Sequence, residues 1–205
     1  MDFSKQATKE MVSKTIEALA ARGMSAELVA NKEEAKEKVL ALIPQGAQVM
    51  TMTSITLEQA GIADEINTSE KYISVRKQLD TMDRRTRNRE MQELGAAPDW
   101  AIGSVHAVTE NGEILIASNT GSQISAYVYG SGHVVWVVGA QKIVKNIDEG
   151  MQRINEYIVP KETERARKAY NLPEFNTNVS KLLIVNKEIF PGRIHIIFVN
   201  EALGF

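Results

Sequence analysis

Apolar residues recur at helical spacing in the first part of the chain, and a short apolar run interrupts them. The spacing predicts an amphipathic N-terminal helix over residues 1–22, followed by a strand over residues 26–30. Asn31, with Glu34 three residues later, is typical of the start of a second helix. The apolar positions that predict the first helix are Phe3, Ala7, Met11, Val12, Ile16 and Leu19.

The next part of the chain continues this alternation of helix and strand. Apolar runs over residues 47–52 and 71–75 predict two strands, and residues 53–56 open a short helix after the first of them. A highly charged helix is predicted over residues 80–94. Alternating helices and strands are the pattern of a parallel sheet with helices on its faces.

The middle of the chain has the pattern of a hairpin. Residues 105–110 and 113–117 are predicted strands joined by Asn111-Gly112, a dipeptide that strongly favours a tight turn. A helix is predicted over residues 120–129. The continuous apolar run 133–138 suits a central strand that is covered on both faces.

The last part of the chain predicts two helices and two strands. Asn146 caps the first helix, Pro160 ends it, and a second charged helix follows. Strands are predicted over residues 181–186 and 193–200. With no internal repeat or linker, we predict a single α/β domain over residues 1–205, with a mostly parallel sheet, helices on both faces and a hairpin insertion.

Composition and charge narrow the range of functions. The chain has 205 residues, no cysteine and a formal net charge of −2. The missing cysteines exclude disulfides, thiolate nucleophiles and a cysteine-ligated iron–sulfur cluster held by this chain, and the balanced charge argues against a nucleic-acid partner. The N-terminal segment is charged, unlike a signal peptide, and no apolar run is long enough to span a membrane, so we expect a cytoplasmic protein without a membrane partner.

The first candidate site lies at the end of predicted strand 105–110. Strand periodicity places His106 and Glu110 on one face, and the turn at Asn111 would hold the Glu110 carboxylate rigidly. A rigid carboxylate suits a nucleophile or a general base, so Glu110 is a candidate catalytic residue, with His106 and Asn111 as candidate ligand-binding residues. A solvated glutamate beside a turn is the alternative interpretation.

Two strand-to-helix corners form the second and third candidate sites. Hydroxyl and amide side chains lie there beside backbone N–H groups that favour an anion such as phosphate or carboxylate. Helix capping alone is the alternative interpretation at both corners. The candidate ligand-binding residues are Thr53, Ser54 and Thr56 at one corner, and Asn119, Thr120, Gly121, Ser122 and Gln123 at the other.

A fourth candidate site follows the predicted central strand 133–138. Gly139 and Lys142 come after this strand, and Lys142 would neutralise the negative charge of a ligand at the same edge of the sheet. Solvation at the surface is the alternative interpretation for this lysine.

Other charged and metal-ligating residues carry less information. Three of the four arginines within residues 84–89 have an acidic residue four positions away, which favours a solvated or subunit-facing helix over a nucleic-acid surface. His106, His133 and His195 lack the spacing of a metal site, and no dinucleotide or Walker motif occurs. We therefore predict no metal and leave the cofactor open.

The sequence from Ala47 to Phe205 resembles the LUD domain of lactate-utilisation type C proteins. The likeness rests on the order and spacing of five segments. These are the hydroxyl corner 53–57, Thr109-Glu110-Asn111-Gly112, the corner 119–123, the segment 138–143 and the ending 196–205.

The resemblance implies the α/β fold shared by sugar-phosphate isomerases and CoA transferases, and a role in organic-acid metabolism beside iron–sulfur partner proteins. In CoA transferases a Ser-Glu-Asn-Gly-like turn supplies the glutamate that forms an acyl-enzyme thioester, so the similar turn at Glu110 makes it the first choice for a reactive residue. The chain departs from the family pattern at two places. Residues 176–184 lack the cysteines of a related branch, and corner 53–57 lacks a glycine and a second serine often present there.

Three functions follow as alternatives. The leading hypothesis is a LUD-domain protein of lactate-type organic-acid metabolism that binds a small anionic metabolite or a nucleotide-like ligand in a cleft at the strand carboxyl ends. The second is a CoA-transferase-like enzyme with Glu110 as nucleophile, and the third is a non-catalytic subunit of an iron–sulfur redox complex. Assembly into a homo-oligomer is compatible with each of the three. The site hypotheses share one premise, that corners 53–56, 109–112 and 119–123 gather at one rim.

Overall fold

A parallel sheet forms the centre of the computed structural model, which describes residues 2–205. Its strands are β1 (Ser25–Val29), β2 (Gln48–Thr51), β3 (Ile73–Ser74), β4 (Trp100–Gly103), β7 (His133–Gly139) and β10 (Ile194–Val199). The spatial order is β1-β10-β7-β4-β2-β3, with each neighbouring pair parallel. The predicted α/β class with a mostly parallel sheet is confirmed.

A second, smaller sheet is built around the predicted hairpin. Its strands are β5 (Ala107–Thr109), β6 (Ile114–Ser118), β8 (Ile143–Val144) and β9 (Lys181–Val185), in the order β8-β5-β6-β9. Strands β5 and β6 are antiparallel. Gly112 allows the turn between them because its φ is 88°, and its N–H donates to the carbonyl of Thr109 at 2.8 Å. The hairpin insertion is confirmed, and β8 and β9 enlarge it into a sheet.

Helices cover both faces of the parallel sheet. The α-helices are α1 (Lys9–Ala21), α2 (Lys32–Leu42), α3 (Ile55–Gln59), α4 (Ile62–Thr68), α5 (Val75–Asp80), α6 (Arg84–Ala96), α7 (Ile147–Arg153) and α8 (Val159–Tyr170). Short π-helical segments span Ala126–Gly130 and Ile154–Ile158, and a 3-10 turn spans Ala140–Lys142. Within residues 2–205, no helix combines the length and apolarity needed to cross a membrane.

The core lies on both sides of central strand β7. Val134, Trp136 and Val138 belong to one apolar cluster, which also contains residues of α1 and of the second sheet. Val135 and Val137 belong to another, together with residues of α2, α3 and α4. Side chains of a strand alternate between faces, so a strand covered on both sides must be apolar throughout.

The N-terminal helix is shorter than the predicted 1–22. Helix α1 begins at Lys9 because Thr8 caps it, accepting a hydrogen bond from the N–H of Met11 at 3.2 Å. Phe3 is buried although it precedes the helix, and its ring packs against Tyr157 at a centroid distance of 6.1 Å. Phe3 contacts the core from outside the helix, and its apolar side chain made the predicted helix too long at its N-terminal end. Met1 lies outside the described residues.

The charged helix predicted over residues 80–94 corresponds to α6 and begins later, at Arg84. Helix α5 ends at Asp80, and Asp83 caps α6 by accepting a hydrogen bond from the N–H of Arg85 at 2.9 Å. Every residue of α6 is at least partly exposed, so the helix lies on the surface of the domain.

The prediction that Pro160 ends its helix is wrong. Helical backbone runs without a break from Ile147 to Tyr170. The π-helical segment Ile154–Ile158 leads into α8, and Pro160 is the second residue of α8 and falls in its first turn. In that first turn a missing N–H and a φ fixed near the helical value are tolerated.

Candidate functional site

Four neighbouring strands of the parallel sheet, β7, β4, β2 and β3, end at one edge. Parallel strands present their carboxyl ends together, so the residues that follow them come close in space. Lys142 follows β7, Ser104 follows β4, residues 53–56 follow β2, and Arg76 follows β3. All of them line one cavity with a volume of about 1000 Å³.

The other walls of this cavity come from the second sheet and from helices α6 and α8. His106 and Ser118 line it from the two sides of the hairpin, and Arg84 and Arg89 line it from α6. Ligand pockets commonly have volumes of about 300–1,000 Å³, so this cavity has room for a nucleotide as well as for a small acid.

Lys142 is buried in the cavity wall, with 2% of its surface exposed. Its Nζ donates hydrogen bonds to Thr56 Oγ1 at 2.9 Å and to Ser104 Oγ at 3.0 Å. Among the ion pairs of residues 2–205, none involves this lysine. Burial, and secondarily the positive charge of Arg153, lowers the pKa of Lys142 well below its usual range. A strongly perturbed amine in a cavity is a typical feature of a functional site.

The two hydroxyls that contact Lys142 differ in what they can still donate. Thr56 Oγ1 donates its proton to the carbonyl of Leu203 at 3.3 Å and accepts from the lysine. Ser104 Oγ accepts from the lysine and donates to no group in the described part of the chain. The Ser104 proton is therefore available to a ligand.

His106 is a neutral hydrogen-bond donor in the cavity wall. Its Nδ1 accepts from the N–H of Ala117 at 3.1 Å, which places the ring proton on Nε2. Burial, followed by the charges of Lys142 and Arg153, lowers the pKa of His106 to about 3. The imidazole consequently stays uncharged at physiological pH, with its Nε2–H free to donate.

Arg153 holds a buried positive charge behind this wall. Its side chain is fully buried, and Nη1 donates to the carbonyl of His106 at 2.6 Å. Nε and Nη2 have no hydrogen-bond partner among the described residues, and the guanidinium lies 5.3 Å from the ring centroid of Tyr157. Burial lowers the pKa of Arg153 to about 10, so it remains charged at neutral pH.

Two arginines in the cavity lining lack a carboxylate partner within residues 2–205. Arg76 donates from Nη2 and Nε to the carbonyl of Thr51 at 2.9 and 3.3 Å, and Arg84 lies at the start of α6. Neither arginine takes part in an ion pair there. Burial lowers the pKa of Arg76, the expected cost of a charge with little solvent around it.

Two further arginines of the lining are already paired. Arg89 contacts Glu93 at 2.8 Å on α6, and Arg165 contacts Glu162 at 2.6 Å on α8. These carboxylates compensate their own partners, so the positive charges of Arg76 and Arg84 remain in excess in the cavity.

The predicted corner 119–123 lines the cavity as a closed turn rather than as the start of a helix. Helical backbone begins only at Ile124, and Gly121 has a φ of 86°. The Gly121 N–H donates to Ser118 Oγ at 2.8 Å, and Ser118 donates to Gln123 Oε1 at 3.0 Å. The sequence predicted that this corner begins a helix and that its polar groups contact a ligand. In the structure, several of these groups form hydrogen bonds within the turn instead.

Two of the predicted polar side chains already have partners in the chain. Ser54 caps α3 by accepting from the N–H of Leu57 at 3.4 Å, which is the capping interpretation of its corner. Asn119 Oδ1 accepts from Ser180 Oγ at 3.1 Å. The predicted hydroxyl residues that line the cavity with exposed side chains are Thr53, Thr120 and Ser122.

Glu110 and Asn111 lie outside this cavity lining, contrary to the expectation that their corner joins the same rim. The Glu110 carboxylate pairs with Lys14 of α1 at 2.8 Å, and the carbonyl of Asn111 accepts from Arg22 Nε at 2.6 Å. The reason is the pairing of β5, which joins β6 and β8 in the second sheet and directs the turn towards α1.

Gly139 also has a structural role in place of the predicted ligand contact. A Cβ at this position would collide with Oε1 of Gln141 and the backbone nitrogen of Leu203. Gln141 Nε2 donates to the carbonyl of Leu203 at 2.9 Å. The missing side chain of Gly139 thus lets residues 203–204 pack against the end of β7.

Sequence reasoning missed several residues of the site. Ser104 follows a strand end, so the rule that selected Thr53 could have selected it too. Arg76 follows a strand of only two residues, which gives a weak pattern. Arg153 lies between Gln152 and Ile154 in a helix, and nothing in the spacing marks it as buried.

Comparison with known proteins adds three findings. A family model described as LUD domain matches residues 12–199. The structure is similar to the crystal structure of a DUF162 family protein from Deinococcus radiodurans, determined at 1.70 Å resolution, with a TM-score of 0.59 and 10% identity. That likeness covers 96% of this chain and 100% of the other, and at such low identity it shows the fold alone. A comparison with curated proteins finds no match.

Proposed function

The chain belongs to the LUD domain family, which is associated with lactate utilisation, and on that premise we propose that it binds a small anionic metabolite of organic-acid metabolism or a nucleotide-like ligand. The binding site is the cavity at the carboxyl ends of β7, β4, β2 and β3.

The observation that carries this proposal is the excess of cationic side chains in the cavity lining. Arg76 and Arg84 lack carboxylate partners within the described chain, and Lys142 contacts only hydroxyls there. Arg76 is half-buried, and a charge in such a position is costly unless it is paired, so an anion in the cavity would supply its missing partner. Arg84 is exposed and adds a second positive charge to the lining.

Lys142 would respond to such an anion through its protonation. In the unliganded protein burial favours the neutral amine. An anion nearby favours the ammonium form, so binding raises the pKa of Lys142 and is accompanied by proton uptake. Ser104 and the Nε2–H of His106 can add neutral hydrogen bonds to the same ligand.

The test is isothermal titration calorimetry with lactate, malonate and adenosine monophosphate as probes, in buffers of different ionisation enthalpy. We expect at least one probe to bind with proton uptake, and Lys142→Met to weaken that binding about 10- to 100-fold, since charge-assisted hydrogen bonds contribute about 1.5–3 kcal/mol. Lys145→Met is the matched control because Lys145 is exposed and three residues away. Binding that is equal in Lys142→Met and the parent protein would contradict the proposal.

Acyl transfer through Glu110 receives less support from the geometry. The carboxylate is paired with Lys14 and lies outside the cavity lining, so a substrate in the cavity would not meet it. An acyl adduct on Glu110, trapped with hydroxylamine after incubation with an acyl-CoA, would restore this alternative.

Association with an iron–sulfur partner subunit or with a second copy of the chain stays a prediction. Size-exclusion chromatography with light scattering tests the second copy, and capture from native lysate followed by iron analysis tests the redox partner.

A further inference from the structure

We propose that Lys142 is a nucleophilic amine that forms an imine with an aldehyde or ketone carrying a negative charge, because its Nζ is held between Thr56 and Ser104 in the wall of a cationic cavity. This inference rests on the proposed function, since the same cavity must first bind the anion.

The hydrogen bonds of Lys142 position the amine without blocking it. Thr56 Oγ1 and Ser104 Oγ each accept one N–H, which fixes the direction of the Cε–Nζ bond. A neutral amine that donates both protons keeps its lone pair, and that lone pair is the nucleophile in addition to a carbonyl group. No carboxylate of residues 2–205 forms an ion pair that would hold this amine in the charged form.

The surroundings of Lys142 favour the reactive protonation state. Burial opposes the charged form, and Arg153 adds a like charge, so the pKa of Lys142 is well below its usual range. A bound anion raises this pKa in part, and the fraction of Lys142 that stays neutral is the one that attacks the carbonyl carbon. Lysines that form imines with carbonyl substrates require this kind of desolvated or cation-flanked environment. A lysine with the ordinary pKa of about 10.4 is almost entirely protonated at neutral pH and is unreactive by comparison.

The chemical step balances with groups that the cavity supplies. The Nζ lone pair attacks the carbonyl carbon, and a proton moves from nitrogen to oxygen to give a carbinolamine. The second amine proton and the hydroxyl group then leave as water while the C=N bond forms. Ser104, whose hydroxyl proton is free, is placed to donate to the carbonyl oxygen while it contacts Nζ at 3.0 Å. No oxidant, reductant or further reactant is needed.

The charge of the cavity selects among carbonyl compounds. Arg76 and Arg84 favour a carboxylate or phosphate on the same molecule, and neutral carbonyl compounds lack that attraction. We therefore expect 2-oxo acids and phosphorylated aldehydes to react in preference to simple aldehydes.

The test is reductive trapping with sodium cyanoborohydride. The full chain is incubated with glyoxylate, pyruvate, 2-oxoglutarate or pyridoxal 5′-phosphate, with acetaldehyde as the uncharged comparison. Intact mass and peptide mapping then locate the reduced adduct. We expect one adduct on Lys142 from at least one anionic probe, at a level about tenfold or more above any exposed lysine, because each unit of lowered pKa gives tenfold more free amine.

Two variants make the result interpretable. Lys142→Arg keeps a cation in the wall but provides no amine, so the adduct should disappear, whereas Lys145→Arg should leave it unchanged. Calorimetry on the same probes without reductant separates the two proposals. Anionic probes that bind in a Lys142-dependent manner but give no adduct on Lys142 would overturn the imine and leave the binding function standing. Anionic probes that neither bind nor react would overturn both.

Discussion

Arg153 Nη1 donates a 2.6 Å hydrogen bond to the backbone carbonyl of His106, joining helix α7 to the wall of the cavity. The guanidinium charge lies close enough to lower the pKa values of both His106 and Lys142. One buried arginine outside the cavity lining therefore adjusts the protonation of two residues inside it.

Replacing Arg153 by Met should raise the pKa of Lys142, because a neighbouring like charge disappears while burial remains. The rise is expected because Arg153 is the charge that, after burial, lowers this pKa. The measurement is the rate of acetylation of Lys142 by acetic anhydride as a function of pH, followed by peptide mass spectrometry. The profile should move to higher pH in the variant. An unchanged profile would show that burial alone sets the pKa.

The lowered pKa of His106 should reduce the free energy of unfolding of the protein in mild acid. Its folded-state pKa is about 3 and its ordinary value is 6.5, so between these values the unfolded chain binds more protons and the free energy of unfolding falls as pH falls. Because the ring lines the cavity and retains some contact with solvent, we expect a loss of about 1–2 kcal/mol between pH 6.5 and pH 5.

Urea unfolding at a series of pH values measures this effect. His106→Asn removes the titrating ring and should flatten that part of the stability profile relative to the parent protein. His133→Asn is the matched control, because His133 is an exposed residue. Equal slopes in the parent protein and His106→Asn would contradict the assignment.

Sequence reasoning selected residues of the cavity lining at positions where a parallel strand leads directly into polar residues. Thr56 and Lys142 were both selected from strand ends, and the structure places them 2.9 Å apart. The same reasoning misplaced Glu110, because side-chain periodicity fixes the face of a strand but not the sheet that the strand joins. Strand β5 pairs with β6 and β8, a partnership set by long-range contacts that no local pattern encodes.

Arg84 should contribute to ligand affinity and little to stability. It is exposed at the start of α6, lines the cavity and has no ion pair within the described chain, so its removal costs no folded-state contact. Arg84→Ala should weaken binding of an anionic ligand about 2- to 5-fold, since an exposed ion pair contributes about 0.2–1 kcal/mol. The difference should shrink at high salt. Calorimetry at two ionic strengths gives the numbers.

Arg85→Ala provides the control for the charge of α6 as a whole. Arg85 is next in sequence and is 93% exposed in its side chain, but it is not part of the cavity lining. If both substitutions weaken binding equally, the effect comes from the general field of the helix and not from a contact in the cavity.

Glu110→Gln should cost little stability and leave ligand binding unchanged. Its carboxylate forms one ion pair with Lys14, whose side chain is 60% exposed, and such pairs contribute about 0–1 kcal/mol. Since the residue lies outside the cavity lining, calorimetry should give the same affinity for an anionic probe in the parent protein and the variant. Lys14→Gln removes the same ion pair from the other side and should lower the free energy of unfolding by a similar amount. If Glu110→Gln abolishes binding while Lys14→Gln does not, the Glu110 carboxylate itself contacts the ligand. The cavity lined by Lys142 is then not the complete binding site.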